Sequence, residues 1–164
     1  MAERNVSRPF FLIAHNIRSA YNVGALFRTA DGIGVHKVYL TGYTPRPHDG
    51  KSVYMTAAEK MIAKTALGAQ QIVPWEKRIF ASLLTELRAQ GCMIVALEKT
   101  VTSGDYRTFH PRFPLAVIVG NEPRGIDRRV IARCDTAISI PMRGVKSSLN
   151  VAVAFGVFGY SITN

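Results

Sequence analysis

The feature that most constrains this chain is an alternation. Short apolar runs, three to six residues long and bounded by glycine, proline or polar clusters, take turns with segments whose apolar residues recur at helical spacing. Phe10 to Ala14, Lys37 to Thr41, Gln71 to Val73, Cys92 to Leu97, Leu115 to Val119 and Thr136 to Ile140 read as strands. Between them, Ala20, Val23, Leu26, Phe27 and Ala30 line one face of a helix that ends near Gly32 and Gly34. Thr56-Ala57-Ala58-Glu59 is a capping box opening a helix toward Leu67. Ile79, Leu83, Leu84 and Leu87 make another helix, stopped at Gly91. Ile126 to Arg133 reads as a short helix and Ser147 to Ile162 as the closing one, while Thr44 to Tyr54, with Pro45, Pro47 and Gly50, is a loop. Such an order predicts an α/β fold: a single domain over residues 10–164, built on a mostly parallel sheet with helices on both faces. Residues 1–9 read as a short basic N-terminal tail.

With 164 residues, 48% of them hydrophobic, the chain has the material for one core, and disorder is excluded. Its formal charge of +10 is large for that size and points to a polyanionic partner, nucleic acid first, although charge scattered for solubility gives the same total. Cys92 and Cys134 are far apart, without a CxxC or Cys/His spacing, and His15, His36, His48 and His110 have no metal-ligand spacing, so no metal is expected. Both cysteines border apolar runs and read as buried thiols of a reducing compartment. The N-terminus is neither a signal peptide nor a span, and the apolar stretch Leu149 to Ile162 is too short to cross a bilayer comfortably; a cytoplasmic location is expected.

A parallel sheet binds its ligand beyond the carboxyl ends of its strands. Three such ends carry unusual residues: Asn16 to Arg28, Gly120 to Gly125, and Pro141 to Asn150. No GxGxxG follows the first strand and no Walker A lysine motif occurs, which removes the ordinary dinucleotide and P-loop readings. Asn16-x5-Asn22-x-Gly24-x3-Arg28-Thr29-Ala30, then Gly120-Asn121-Glu122-Pro123-Arg124-Gly125, then Ile140-Pro141-Met142-Arg143-Gly144-x3-Ser148-Leu149-Asn150-Val151-Ala152-Val153-Ala154 follow one another along the chain. In that order they resemble the three motifs of the SpoU/TrmH family of RNA 2′-O-ribose methyltransferases, across roughly residues 10 to 162. The RNA-binding domain that many members carry at the N-terminus is not part of the resemblance.

The resemblance implies a C-terminal deep trefoil knot, the SPOUT arrangement, whose loops hold S-adenosyl-L-methionine. By motif position Gly120, Ile140, Met142 and Leu149 would hold the cofactor, with Leu97 at the end of its strand as an adenine wall. Glycine lets backbone approach a ligand, and apolar walls suit an adenine ring. The resemblance places Arg28, Asn22, Glu122, Ser148 and Asn150 at the catalytic centre. The family proposal makes the arginine a base. A guanidinium is in effect always protonated, so a clamp on a substrate phosphate that stabilises the developing alkoxide is the better role. Taken singly, each residue has a plain reading. Arg28 fits a surface salt bridge, Ser147 or Ser148 a helix N-cap, Asn150 a residue of the helix's first turn, Glu122 a surface acid, and Ile140 and Leu149 core positions. Glu122 among Arg124, Arg128 and Arg129 suggests a held carboxylate, and Asn22 is a poor helix former inside a helix.

Arg18, Arg46, Lys51, Arg124, Arg143 and Lys146 lie in or beside the strand-end loops and are the expected RNA-binding residues. Tyr21, Tyr43 and Tyr54 are candidates for stacking an unpaired base, though packing is the commoner role of any one tyrosine. The expected partner is tRNA or rRNA, and the alternatives are an RNA-binding pseudo-enzyme or a base-N-methylating enzyme of the same superfamily. A homodimer is expected as well. Leu149, Val151, Val153, Ala154, Phe155, Val157, Phe158 and Tyr160 spread apolar residues around most of the closing helix, which needs cover from its own domain or from a partner.

Overall fold

A computed structural model of the chain describes residues 8–163. In chain order its elements are β1 (Phe10–His15), α1 (Ala20–Ile33), β2 (Lys37–Thr41), α2 (Ala57–Ala66), α3 (Ala69–Ile72), β3 (Trp75–Arg78), α4 (Phe80–Ala89), β4 (Met93–Leu97), β5 (Gly104–Asp105), a 3-10 turn (Tyr106–Thr108), β6 (Leu115–Val119), α5 (Arg128–Ile131), β7 (Thr136–Ser139) and α6 (Val151–Thr163). The strands form one sheet in the order β3-β2-β1-β6-β4-β7-β5, and every neighbouring pair is parallel.

Period-two burial builds two cores. Leu12, Val38, Leu40, Val117 and Val119 turn to one face, where Val23, Leu26 and Phe27 of α1 and Phe155 and Phe158 of α6 cover them. Ile13, Tyr39, Ile94, Ala96, Ala116 and Ile118 turn to the other, against Leu83, Leu84 and Leu87 of α4 and Val130 of α5. A strand buried on both faces must be apolar throughout, which is why β6 reads LAVIV. The chain leaves β1 toward α1 on the first face and leaves β6 toward α5 on the second. Two neighbouring strands whose connections diverge open a crevice at their carboxyl ends.

Local signals set most boundaries. Ser19 caps α1, its side chain accepting from Asn22 N, and Gly34 ends the helix in the left-handed conformation (φ 81°). The Thr56/Glu59 capping box opens α2. Three expectations need correction. Gln71-Ile72-Val73 is not a strand: Gly68 turns the chain out of α2, and α3 closes as a single helical turn, with Val73 N donating to Ala69 O (2.9 Å). The strand comes after Pro74, as the charged edge β3, where exposure leaves no apolar pattern to read. The closing helix begins at Val151 rather than Ser147, because Asn150 takes the capping position, its Oδ1 accepting from Ala152 N (2.9 Å). Arg8 and Pro9, read as tail, belong to the fold: Pro9 O accepts from Leu115 N (2.9 Å), and the Arg8 guanidinium sits 4.5 Å from the centre of the Phe113 ring. Residues 1–7 of that expected tail lie outside the described residues. The two-residue strand β5 is too short for any periodicity to announce it.

Among the described residues no helix is long and apolar enough to cross a membrane, and no group of three or more His, Cys, Asp or Glu side chains could hold a metal. Cys92 is buried and Cys134 half-buried; burial pushes their thiols up to about 12 and about 11.

Gly24 of the first motif has a structural task. A Cβ there would run into Thr65 Oγ1 and come 2.6 Å from Ile62 O, so α1 and α2 touch where a side chain is missing. Gly24→Ala should therefore force the helices apart and cost about 1–3 kcal/mol. Urea unfolding should show a lower midpoint at an unchanged slope; an unshifted midpoint would mean that this contact relaxes freely.

Candidate active site

The crevice between β1 and β6 is laced by one carboxylate. Glu122 Oε2 accepts from Arg18 N (3.0 Å), and Oε1 accepts from Ser19 N (3.1 Å) and from Asn22 Nδ2 (2.9 Å). The acid therefore sits at the start of α1, where unpaired backbone donors and the helix dipole favour a negative charge. Burial alone would raise its pKa, but the Asn22 amide and the backbone donors outweigh that and hold it below the ordinary glutamate range. Its partners are thus backbone amides and Asn22, not the neighbouring arginines expected from sequence. Asn22 Oδ1 accepts in turn from Asn150 Nδ2 (2.9 Å), and Asn150 Oδ1 caps α6. The chain Glu122–Asn22–Asn150 fixes both amide orientations and joins the three motifs through side chains 100 and 128 residues apart in sequence.

This chain of bonds forms part of the wall of a cleft of about 510 Å³. Leu97, Val119, Ile138, Ile140 and Leu149 give it apolar walls, Gly120 and Gly125 bring backbone to its edge, and Ser139, Ser148 and Glu122 supply polar groups. Such a volume, with apolar walls and polar groups directed into it, suits a nucleoside-sized ligand. The Ser148 side chain makes no hydrogen bond to a described residue and stands at the exposed rim. Gly120 is packed tightly: a Cβ there would come 2.5 Å from Ile126 Cγ1 and 3.0 Å from Gly125 O.

Not all expected residues share this cleft. Arg28 is exposed and lines a second cleft with Tyr21, Lys64, Val153 and Tyr160. Asn150 belongs to both, so the two clefts meet at one side chain. Met142 lines neither of them. Arg124 lines the first, and Arg18 stands beside Glu122. Arg143 and Lys146 are exposed in the loop between β7 and α6, while Arg46 and Lys51 lie in the loop after β2, Arg46 paired with Asp49 (2.9 Å).

Two residues of the site went unremarked in the sequence. Asn121 is buried, with Nδ2 donating to Asn16 O (3.2 Å) and Tyr43 Oη (2.7 Å) and Oδ1 accepting from Arg124 N (3.0 Å). Its place inside the second motif was the available signal. Glu98, one residue beyond β4, accepts from Ile126 N through Oε2 (2.9 Å) and from Lys99 N through Oε1 (3.1 Å), so it pins the far end of the Gly120–Gly125 loop. A polar residue just past a strand's carboxyl end could have marked it.

The profile of the SpoU rRNA Methylase family matches residues 9–160. The 23S rRNA (guanosine-2′-O-)-methyltransferase RlmB of Pectobacterium atrosepticum is 36% identical over 156 residues, covering 93% of this chain and 59% of its own length. Indeed, the chain spans about three fifths of the length of the first curated relatives it matches. Among solved structures, the A. aeolicus TrmH/SpoU tRNA modifying enzyme is similar with a TM-score of 0.78 and 28% identity, over 95% of this chain and 74% of that one. A structure concerned with 2-OH methylation of C/U34 on tRNA matches with a TM-score of 0.74 and 26% identity, over 93% of both chains. The profile and the 36% identity run through all three strand-end loops, and the chain that folds them into this crevice belongs to the SpoU rRNA Methylase family.

Proposed function

We propose that this protein transfers the methyl group of S-adenosyl-L-methionine to a ribose 2′-hydroxyl of tRNA or rRNA. The observation that carries this reading is the Glu122–Asn22–Asn150 chain, which sets one amide at the junction of two clefts. The first cleft fits the cofactor in volume and lining: Leu97, Ile138, Ile140 and Leu149 would flank an adenine, and the backbone of Gly120 and Ile140 would meet its polar edge. The bound cofactor supplies a methyl already activated by its sulfonium, so the chemistry asks for no metal.

The chain's own residues have to orient the hydroxyl and manage its proton. Glu122 is a poor base, because its carboxylate accepts three hydrogen bonds and its pKa is held down. It positions Asn22, and through it Asn150. Ser148 Oγ, with no described partner, is the acceptor at the cleft rim for the ribose O–H. Arg28 reaches the substrate from the second cleft; its fixed charge clamps a backbone phosphate and stabilises the alkoxide as the C–O bond forms. Arg18, Arg124, Arg143 and Lys146 add phosphate contacts around the mouth, and Arg46 and Lys51 extend them along the loop after β2. We read the segment from Ile140 to Asn150 and the helix after it as the knotted part. Support comes from α6, which starts at the rim of the first cleft and packs against α1 under the sheet. An RNA substrate and two free cysteines fit the cytoplasm.

The working unit is a homodimer joined through α1 and α6. The closing helix is not wholly covered by its own domain: Val153 (51%), Val157 (37%) and Tyr160 (49%) are exposed, beside Tyr21 (58%) on α1. A partner over this patch would lie against the cleft that holds Arg28, in an isologous contact.

Three measurements test these statements. Incubated with labelled cofactor, EDTA and bulk RNA, the protein should place label on 2′-O-methylribose after digestion to nucleosides. Label on a base would favour a base-methylating enzyme, and cofactor binding without transfer to any RNA an inactive RNA-binding protein. Arg28→Ala should lower kcat about a hundredfold or more while cofactor affinity in calorimetry stays within a few fold. Arg28→Lys should be nearly as poor, since an ammonium cannot make a two-point clamp; full turnover in either variant would remove Arg28 from the site. Light scattering at low micromolar concentration should give twice the 18.1 kDa chain mass. A monomer with full activity would refute the dimer.

A further inference from the structure

Tyr43 is an exposed aromatic tied down at both its hydroxyl and its backbone. The residue is 59% exposed, yet its hydroxyl accepts a 2.7 Å hydrogen bond from the buried amide of Asn121. Neither of the two other tyrosines singled out in the sequence has this: Tyr21 (58% exposed) and Tyr54 (85%) make no hydroxyl hydrogen bond to a described residue. The backbone beneath Tyr43 is fixed as well. Tyr43 N donates to Asn16 Oδ1 (3.2 Å), and Lys77 Nζ donates to the carbonyls on either side, Gly42 O (2.8 Å) and Thr44 O (2.5 Å). Thr44 Oγ1, fully buried, accepts from Ile17 N (3.0 Å). Gly42 takes a left-handed φ of 63°, and a Cβ there would strike the Asn16 side chain. Ordering a surface side chain in this way costs conformational entropy, while more than half of the residue stays open to solvent.

The place of this turn says what the ring is for. Asn121, which holds the Tyr43 hydroxyl, is the direct neighbour of Glu122, which holds Asn22 at the methyl-transfer cleft. Arg18 and Arg124, exposed next to the same loops, have no carboxylate partner among the described residues. A fixed π-face beside free cations is the pairing that grips single-stranded nucleic acid, with base on ring and phosphate on arginine. We propose that Tyr43 is a stacking platform for an unpaired base of the RNA substrate, a base near the nucleotide whose ribose enters the cleft. This rests on the reading of the protein as an RNA methyltransferase. It adds that the substrate is presented unpaired at that point, so a loop or an end is taken and a continuous duplex refused. Stacking tolerates every base, so the platform should favour unpaired structure over any one sequence.

The test uses the full chain and a single-stranded RNA heptamer carrying one 2-aminopurine, whose fluorescence falls on stacking. The unaltered protein should quench it. Tyr43→Ala should lose the quenching and bind about five- to a hundredfold more weakly, with cofactor affinity unchanged as the control for folding. Tyr43→Phe keeps the ring and loses only the Asn121 contact, so it should quench and bind within a few fold of the unaltered chain. In methyl transfer to bulk RNA, Tyr43→Ala should raise KM for RNA far more than it lowers kcat. Equal quenching and affinity in Tyr43→Ala would overturn the platform. So would a change in oligomer mass in that variant, which would assign the ring to a protein contact. Quenching that depends on Tyr43 in a protein that methylates no RNA would keep the platform and sink the methyltransferase reading.

Discussion

The carboxylate of Glu122 reaches across the crevice between β1 and β6 to two backbone amides and one side-chain amide at the start of α1. Without it, two adjacent N–H groups at the start of α1 would lack this acceptor, and the loops after the two central strands would be joined only by Asn121, whose Nδ2 donates to Asn16 O. Hydrogen bonds to a charged acceptor are roughly twice as strong as neutral ones, and a negative charge at a helix start is favoured by the dipole. The orientation of the three motifs toward one another passes through this point. Asn22 takes its orientation from Glu122, Asn150 takes its orientation from Asn22, and α6 takes its first turn from Asn150. A group that fixes so much by accepting hydrogen bonds is thereby unavailable for accepting a proton, which separates the architecture of the site from its acid–base chemistry.

Two clefts meet at this chain of hydrogen bonds. The first is lined by the ends of β4, β6 and β7 with their following loops; the second lies among α1, α2 and α6. Asn150 stands in both, so a hydroxyl held there would meet a cofactor from one side and the Arg28 guanidinium from the other. Gly24 belongs to the same construction although it lines neither cleft: it lets α2 lie close against α1, and Lys64 and Thr65 of α2 line the cleft that holds Arg28.

The sequence carried much of this. Patterns of period two and three to four named every long element, and the capping box and the left-handed Gly34 came out where those signals stood. The failures share a cause. Gln71 to Val73 has strand-forming residues, but the chain has only one turn's length between Gly68 and Pro74 in which to reverse. Strand β3 is charged because it lies at an edge, so it has no apolar face to display. Ser147 and Ser148 are as good caps as Asn150 by residue type; which of them caps depends on where the loop after β7 delivers the chain, and that is a matter of packing.

By itself the sequence determined the parallel α/β class, the three strand-end loops that would carry the site, and the family, because strand burial and motif spacing are properties of short stretches of chain. Only the tertiary structure decided how those loops meet. It turned Glu122 toward backbone amides instead of the arginines beside it, split the expected catalytic residues between two clefts, left Met142 outside both, and added Asn121 and Glu98 as braces. The physical reason is distance along the chain. Contacts between residues about 30 to 130 positions apart have no local pattern, and they exist only once the sheet brings the carboxyl ends of β1, β6 and β4 side by side.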